Sequence, residues 1–214
     1  MTGIPPPAAR TGPAELWQRT RRVLSLAWVP LTASLVSLIL SIGSIVIATR
    51  DPSVVLLLPE QIRIAQGGGA GNAIAYLQPT LVSTGNNDRV EVVRDLRLVV
   101  TPPDGSDPRA FAWDESGRFL FDAATNRLGY EYLTDAAPLL ITPREAQNPL
   151  ALFQGPDGWL FVPGTYEVRL IADRIVATGA LEATFELEMT AGQVDQLNAS
   201  DGGEFLSIPI RADP

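Results

Sequence analysis

The 214-residue sequence contains no cysteine, no histidine and no lysine, so all 16 basic residues are arginines. Without cysteine the chain can form no disulfide, no thiolate zinc site and no cysteine nucleophile. Without histidine it lacks the commonest metal ligand and the commonest general base near neutral pH. These absences count against most hydrolytic and redox chemistry, and we expect no cofactor and no metal.

What the sequence does contain is one long apolar run, from Val23 to Thr49, without a charged residue. A helix needs about 20 apolar residues to cross the core of a bilayer. The run therefore predicts a transmembrane helix over 23–49, preceded by a proline-rich, disordered tail over 1–22. Four arginines and one glutamate precede the run, a balance of +3. By the positive-inside rule, the N-terminus is cytoplasmic and the C-terminal part extracytoplasmic.

A cleaved signal peptide is the alternative interpretation of this run. Small residues near Ala48 suit a signal peptidase. The apolar run is, however, much longer than the 7–15 residues of a signal peptide. We therefore favour an uncleaved signal anchor.

Small residues recur along this helix at alternating spacings of three and four. This spacing puts them on one face, which is the kind of face that helices in lipid use to pack together. Self-association through the helix is one interpretation, and simple tolerance of serine in a long apolar helix is the other. The residues are Ser34, Ser37, Ser41, Ser44 and Ala48.

The remainder, 53–214, reads as a single β-rich domain. Apolar and polar residues alternate in short segments that are separated by glycine and proline turns, as in half-buried antiparallel strands. The alternation slips within Val90–Val100, which predicts a bulge near Val93. From Asp51 onward, 11 arginines stand against 23 acidic residues, a net charge of about −12. Such a domain is a poor partner for nucleic acid, because phosphate contacts dominate that affinity.

Aromatic residues in the middle of the chain come in pairs two positions apart, beginning with Phe111 and Trp113. Period two places the members of a pair on one face of a strand. Phe111 and Trp113 are therefore candidates for a ligand platform for sugars or peptides. The competing interpretation, which we favour, is that such pairs fill the core of the domain.

One segment, VPGTYEVRLIADR from Val162 to Arg174, resembles the turn and strand that carry the tyrosine corner of immunoglobulin-like and fibronectin-type-III-like β-sandwiches. The resemblance implies an immunoglobulin-like antiparallel β-sandwich, in which the Tyr166 hydroxyl bonds to nearby backbone in a structural role. It covers this motif and the general rhythm of strands. The chain departs from antibody domains because it has no cysteine pair, and the resemblance transfers no catalytic residue.

Acidic side chains are the remaining candidates for chemistry. Acids in predicted loops, such as Asp104 and Asp114, could hold calcium through oxygen ligands, but they follow no known calcium-loop pattern. Paired carboxylates could hydrolyse glycosides, but the spacing of acids along a sequence does not show which of them pair across a fold. We expect a non-catalytic, membrane-anchored, extracytoplasmic binding or scaffolding module with a protein partner outside the membrane. The alternatives are a ligand-sensing or carbohydrate-binding ectodomain and, more remotely, a carboxylate-dependent hydrolase.

Overall fold

The computed structural model describes residues 13–49, 53–66, 72–85, 89–124, 126–199 and 205–212. The chain divides into two compact units, Met1–Arg50 and Asp51–Pro214. Among these described residues, the first unit holds one helix, and the second unit holds the strands and one short helix.

The N-terminal helix, α1, runs over Pro13–Thr49. It is long and apolar enough to span a membrane, and its most apolar stretch, Pro30–Ile47, has a mean hydropathy of 2.1. Residues 13–22, which the sequence assigns to a disordered tail, are helical. The helix begins at Pro13, and proline is well tolerated at a first helical position because an N–H there would have no partner within the helix. The expectation for residues 1–12 lies outside the described residues.

The second unit contains thirteen strands and the helix α2. The strands are short, as expected from the frequent glycine and proline turns, except for β5, β6 and β10. In chain order the elements are β1 (Val54–Leu57), β2 (Gln61–Gln66), β3 (Ala73–Leu77), β4 (Thr80–Ser83), β5 (Glu91–Thr101), β6 (Arg109–Asp122), β7 (Arg127–Asp135), β8 (Leu139–Ile141), β9 (Leu150–Gln154), β10 (Gly164–Arg174), β11 (Leu181–Met189), α2 (Ala191–Ala199), β12 (Leu206–Pro209) and β13 (Arg211–Ala212).

Eleven of these strands form one antiparallel sheet, in the order β12-β2-β3-β9-β6-β5-β10-β11-β13, with β7 added to β6 and β8 to β5. The two ends of this order, β12 and β13, are consecutive in the chain and are separated only by Ile210. The C-terminal segment therefore pairs with β2 on one side and with β11 on the other. The sheet is nearly closed and barrel-like, which confirms the all-β, antiparallel prediction. The strands β1 and β4 form a separate two-stranded sheet.

Alternation of side chains explains why these segments form strands around one core. On β10, Tyr166, Val168 and Leu170 are buried, whereas Thr165 and Glu167, which alternate with them, are exposed. The largest fully buried side chains come from β2, β3, β4, β5, β6, β8, β9, β10 and β11, so most of the strands contribute to the interior. These buried side chains form one packed core.

The bulge that the alternation predicts in β5 is present. Asp173 pairs with Asp95 and Arg174 pairs with Val93, so Arg94 has no partner in the register with β10. One extra residue reverses which face the following side chains occupy. Odd-numbered positions of β5 are therefore buried before the bulge and even-numbered positions after it.

Candidate binding surface

Tyr166 lies at the start of β10 and is fully buried. Its hydroxyl donates a hydrogen bond to the carbonyl of Val162 at 2.8 Å and accepts one from the Val162 N–H at 2.7 Å. The rings of Trp159 and Phe161 pack on it at 6.1 and 5.6 Å between centroids. Burial raises the pKa of the Tyr166 phenol, so the hydroxyl stays protonated and able to donate. This is the backbone contact that the resemblance implies, and its role is structural.

Phe111 and Trp113 are both buried, Phe111 completely. Both face the barrel interior, where the Phe111 ring meets Trp159 edge-on at 5.2 Å. The indole N–H of Trp113 donates to the carbonyl of Glu115 at 3.0 Å. These two residues therefore form no open ligand platform, because their shared face is the one that the strand turns toward the core.

The small-residue face of α1 consists of five positions within the helix. The Ser44 hydroxyl donates to the carbonyl of Leu40 at 2.8 Å, so this polar group needs no partner from a second helix. The side chain of Ala48 lies outside the described residues. Self-association through this face stays a prediction. Its remaining members are Ser34, Ser37 and Ser41.

A buried acid, Glu91, was missed by the sequence analysis. Its carboxylate accepts backbone N–H bonds from Val92 and Val176 on Oε1, at 2.9 and 3.0 Å, and from Ala177 on Oε2 at 3.0 Å. The side chain thereby fastens the β10–β11 connection to the start of β5. A signal for its burial existed, because the bulge at Arg94 puts Glu91 on the inward face with Val93.

A second set of aromatic rings packs on the outer face of the barrel, and we call it the outer aromatic cluster. Tyr76 lies at its centre, 4.9 Å from Tyr130, 5.0 Å from Phe205 and 5.7 Å from Phe119 between ring centroids. The cluster joins β3, the β6–β7 hairpin and the segment before β12. Burial, followed by the negative charge of Glu115, raises the pKa of Tyr76 to about 12.

The β6–β7 hairpin extends beyond the rest of the sheet. Pairing between β6 and β9 ends where Gly117 meets Leu150, and beyond that point β6 pairs only with β7 among the described residues. We call residues 118–131 the hairpin arm. Its apolar side chains Leu120 and Phe121 are 45 % and 62 % exposed, and Leu133 follows it at 55 %.

A cleft of about 230 Å³ lies beside the outer aromatic cluster, and we call it the Arg63 cleft. The guanidinium carbon of Arg63 sits over the face of Phe119, 4.3 Å from the ring centroid. Its Nε is buried and has no hydrogen-bond partner. Burial lowers the pKa of Arg63. The lining residues are Pro59, Glu60, Gln61, Arg63, Tyr76, Gln78 and Leu150.

No family model, curated protein or solved structure matches this chain significantly. The candidate surface therefore stands on its own geometry. Within the part of the chain that the structure describes, no three acidic side chains come close enough together to hold a metal ion.

A second cleft, of about 250 Å³, lies between α2 and the C-terminal strands. Its arginine, Arg211, is bonded to Glu188 at 3.0 Å, so the charge there is already matched. The Arg63 cleft differs from it because, in the part of the chain that the structure describes, no acid is bonded to its arginine.

Proposed function

We propose that this chain is a single-pass membrane protein with a cytoplasmic N-terminus, and that its extracytoplasmic β domain is a non-catalytic binding or scaffolding module. The length and apolarity of α1 support the anchor, and the arginines ahead of the apolar run support the orientation. The hairpin arm is the observation that supports a binding role. It exposes large apolar side chains on two strands that, in the arm, pair only with each other among the described residues.

The partner that fits this arm is a protein segment in extended conformation. A strand edge without a neighbour offers N–H and C=O groups to an added strand. Two arginines and two acids make the arm neutral, whereas the domain as a whole carries a net charge of about −12. Two such acidic domains repel each other, as do this domain and anionic lipid or nucleic acid. The occupant is therefore a different, less acidic protein.

The finer fold assignment, an immunoglobulin-like sandwich, belongs to this proposal as well. The Tyr166 corner supports a relation to such domains. The strand order argues the other way, because β5 and β6 are hydrogen-bonded neighbours in one continuous sheet, as in a barrel, and do not lie in two separate sheets. The carbohydrate-binding alternative loses its support with the burial of Phe111 and Trp113, and no observation favours hydrolysis.

Orientation can be tested with single cysteines, because the chain has none of its own. In sealed right-side-out membrane vesicles, a membrane-impermeant maleimide should label Ala124→Cys on the arm. Thr11→Cys in the tail should be labelled only after detergent is added. Labelling of Thr11→Cys in sealed vesicles would reverse the proposed topology. A soluble product that begins near Arg50 would show a cleaved signal peptide instead.

Partner binding can be tested with a photo-crosslinking amino acid at position 121 of the full chain in living cells. We expect an adduct with one other protein, weakened several-fold by Leu120→Ser, because that change removes neighbouring apolar surface. The matched control places the crosslinker at position 140, where Leu140 is 58 % exposed but lies off the arm. The same adduct from both positions, or adducts with lipid alone, would refute the arm as the binding surface. An adduct of twice the mass of the chain would identify a second copy and refute the choice of partner.

A further inference from the structure

The side chain of Arg63 is half-buried and, among the described residues, has no anionic partner. Arg97, Arg169 and Arg211 each lie within 4 Å of a carboxylate, at 3.5, 3.9 and 3.0 Å. Arg118 is bonded to Glu131. Among the described residues, the side chain of Arg63 forms neither an ion pair nor a hydrogen bond, although it is half-buried and its Nε is shielded from water.

An arginine in this situation is costly to the folded domain. A buried charge is normally paired, because desolvation penalises the ionised form and only a partner offsets it. The stack on Phe119 provides part of that compensation, since a guanidinium over a ring face is attracted to the ring. It also holds the planar group in one place, which prepares its N–H fork for a ligand.

We infer that the Arg63 cleft is a binding site for a carboxylate group, with the Arg63 guanidinium as its main donor. A planar carboxylate matches the two parallel N–H groups of a guanidinium, and such paired bonds are the strong, specific ones. The side-chain amides of Gln61 and Gln78 line the same cleft and can donate to the rim of the ligand. Glu60 also lines it, which favours a singly charged anion over a doubly charged phosphate.

The volume of the Arg63 cleft limits the size of the ligand that it can bind. About 230 Å³ holds a carboxylate and a few further atoms, not an oligosaccharide. The carboxylate can belong to a small free acid or to an acidic side chain of a protein. Phe119, on which Arg63 stacks, belongs to the hairpin arm, but the residues that line the cleft lie outside the arm, so carboxylate binding can be tested separately from partner binding by the arm.

The test uses the full chain in detergent micelles and follows its melting midpoint as acetate replaces chloride at constant ionic strength. A ligand that binds only the native state raises this midpoint in proportion to RT ln(1 + [L]/Kd). We expect the midpoint to rise with acetate concentration as this expression predicts, and phosphate should not reproduce the rise. Arg63→Gln should weaken binding by at least about tenfold, since bonds to a charged donor are worth about 1.5–3 kcal/mol. Glu60→Gln should strengthen it, because it removes a like charge from the same cleft.

Two variants serve as controls. Arg109→Gln removes an exposed arginine elsewhere on the barrel and should leave the acetate effect unchanged. Arg63→Lys keeps the charge but loses the fork, so it should weaken binding several-fold even if Arg63→Gln fails to fold. Equal responses of wild type and Arg63→Lys, no rise of the melting midpoint up to about 100 mM acetate, or phosphate binding as tight as acetate would each overturn the inference.

A short capped peptide with one glutamate then distinguishes the sources of the carboxylate. Tighter binding of this peptide than of acetate and succinate, lost in its glutamine counterpart, assigns the site to a protein carboxylate. Equal or tighter binding of succinate assigns it to a small acid.

Discussion

Glu91 and Arg63 are two charged side chains that the barrel removes from water in different ways. Glu91 is fully buried, and three backbone N–H groups take the place of its hydration. Arg63 keeps one open side toward a cleft and a ring beneath it. The hydrogen bonds of Glu91 satisfy its carboxylate and stabilise the β10–β11 connection. Arg63, in contrast, keeps N–H donors that a ligand from outside the domain can use.

The Glu91 arrangement makes a prediction about stability. Glu91→Gln should lower the free energy of unfolding by about 1–3 kcal/mol, because an amide NH₂ would then face one of the backbone N–H donors. Urea unfolding of the full chain in detergent, followed by tryptophan fluorescence, measures this change. Glu186→Gln on the exposed face of β11 is the matched control and should have almost no effect. Equal stabilities of the two variants would mean that the Glu91 bonds contribute nothing.

Tyr166→Phe removes a hydroxyl that both donates and accepts. Because the ring is fully buried and Val162 would be left with unmatched backbone groups, we expect a loss of about 1–3 kcal/mol in the free energy of unfolding. The same urea titration measures it. An unchanged unfolding curve would contradict the tyrosine corner.

The raised pKa of Tyr76 predicts how the free energy of unfolding of the domain changes at alkaline pH. The pKa of Tyr76 is raised from 10.0 to about 12 in the folded domain, so folding favours the protonated phenol. The contribution of this group to the free energy of unfolding is therefore fully present below pH 10 and is lost as the pH rises toward 12. Tyr76→Phe has no phenol to ionise, and its free energy of unfolding should fall less steeply across this interval. Urea titrations at several pH values compare the two slopes. Parallel slopes would mean that Tyr76 ionises alike in the folded and unfolded chains.

At the scale of elements, the β6–β7 hairpin depends on one close approach. At Gly117, an added Cβ would clash with the carbonyl oxygen of Glu131 and with the ring of Tyr130. The glycine thus allows the tyrosine ring to lie across the strand and to join the outer aromatic cluster. The position of the whole arm follows from this contact.

Gly117→Ala should therefore destabilise the domain, by about 1–3 kcal/mol for an overpacked site, and should also loosen the arm. Gly129→Ala is the matched control in the same hairpin, because its Cβ would meet nothing closer than the Leu120 carbonyl oxygen at 3.8 Å. Limited proteolysis of the two variants measures the effect on the arm. Equal cleavage rates would show that the packing of Tyr130 on Gly117 does not position it.

At the scale of the whole molecule, closure of the sheet depends on its last strands. β12 covers the edge of β2 and β13 covers the edge of β11, so residues 205–212 remove two open edges at once. Open edges invite pairing with other chains. We therefore expect the C-terminal segment to keep these two edges from pairing with other chains.

Deletion of residues 205–214 should cause aggregation or loss of cooperative unfolding, because both edges would be exposed and Ile208 would leave the core. Size-exclusion chromatography of the detergent-solubilised chain compares this deletion with removal of Asp213 and Pro214 alone. A monodisperse, cooperatively melting product of the longer deletion would show that the sheet needs no closure.

The local features of this protein could be read from its sequence, because they depend on neighbours within a few residues. The charge-free run predicts a helix, alternation predicts the strands of β10 and β11, and the slip of that alternation predicts the bulge in β5. The start of the helix was misplaced, because the composition of the first residues resembles a disordered tail. Side-chain burial at Tyr166 follows from period two in the same way.

Only the tertiary structure decided which strands meet and what lies between them. The C-terminal strands close the sheet between β2 and β11, and the hairpin folds Phe119 and Tyr130 onto Tyr76. The stack of Arg63 on Phe119 likewise joins residues far apart in the chain. Alternation specifies that a side chain faces inward or outward but not what it faces, because a strand of period two has the same pattern beside any partner. The candidate binding surface consists of such long-range contacts, and this is why the sequence alone did not indicate it and offered Phe111 and Trp113 as the candidate platform, beside the favoured interpretation that they fill the core.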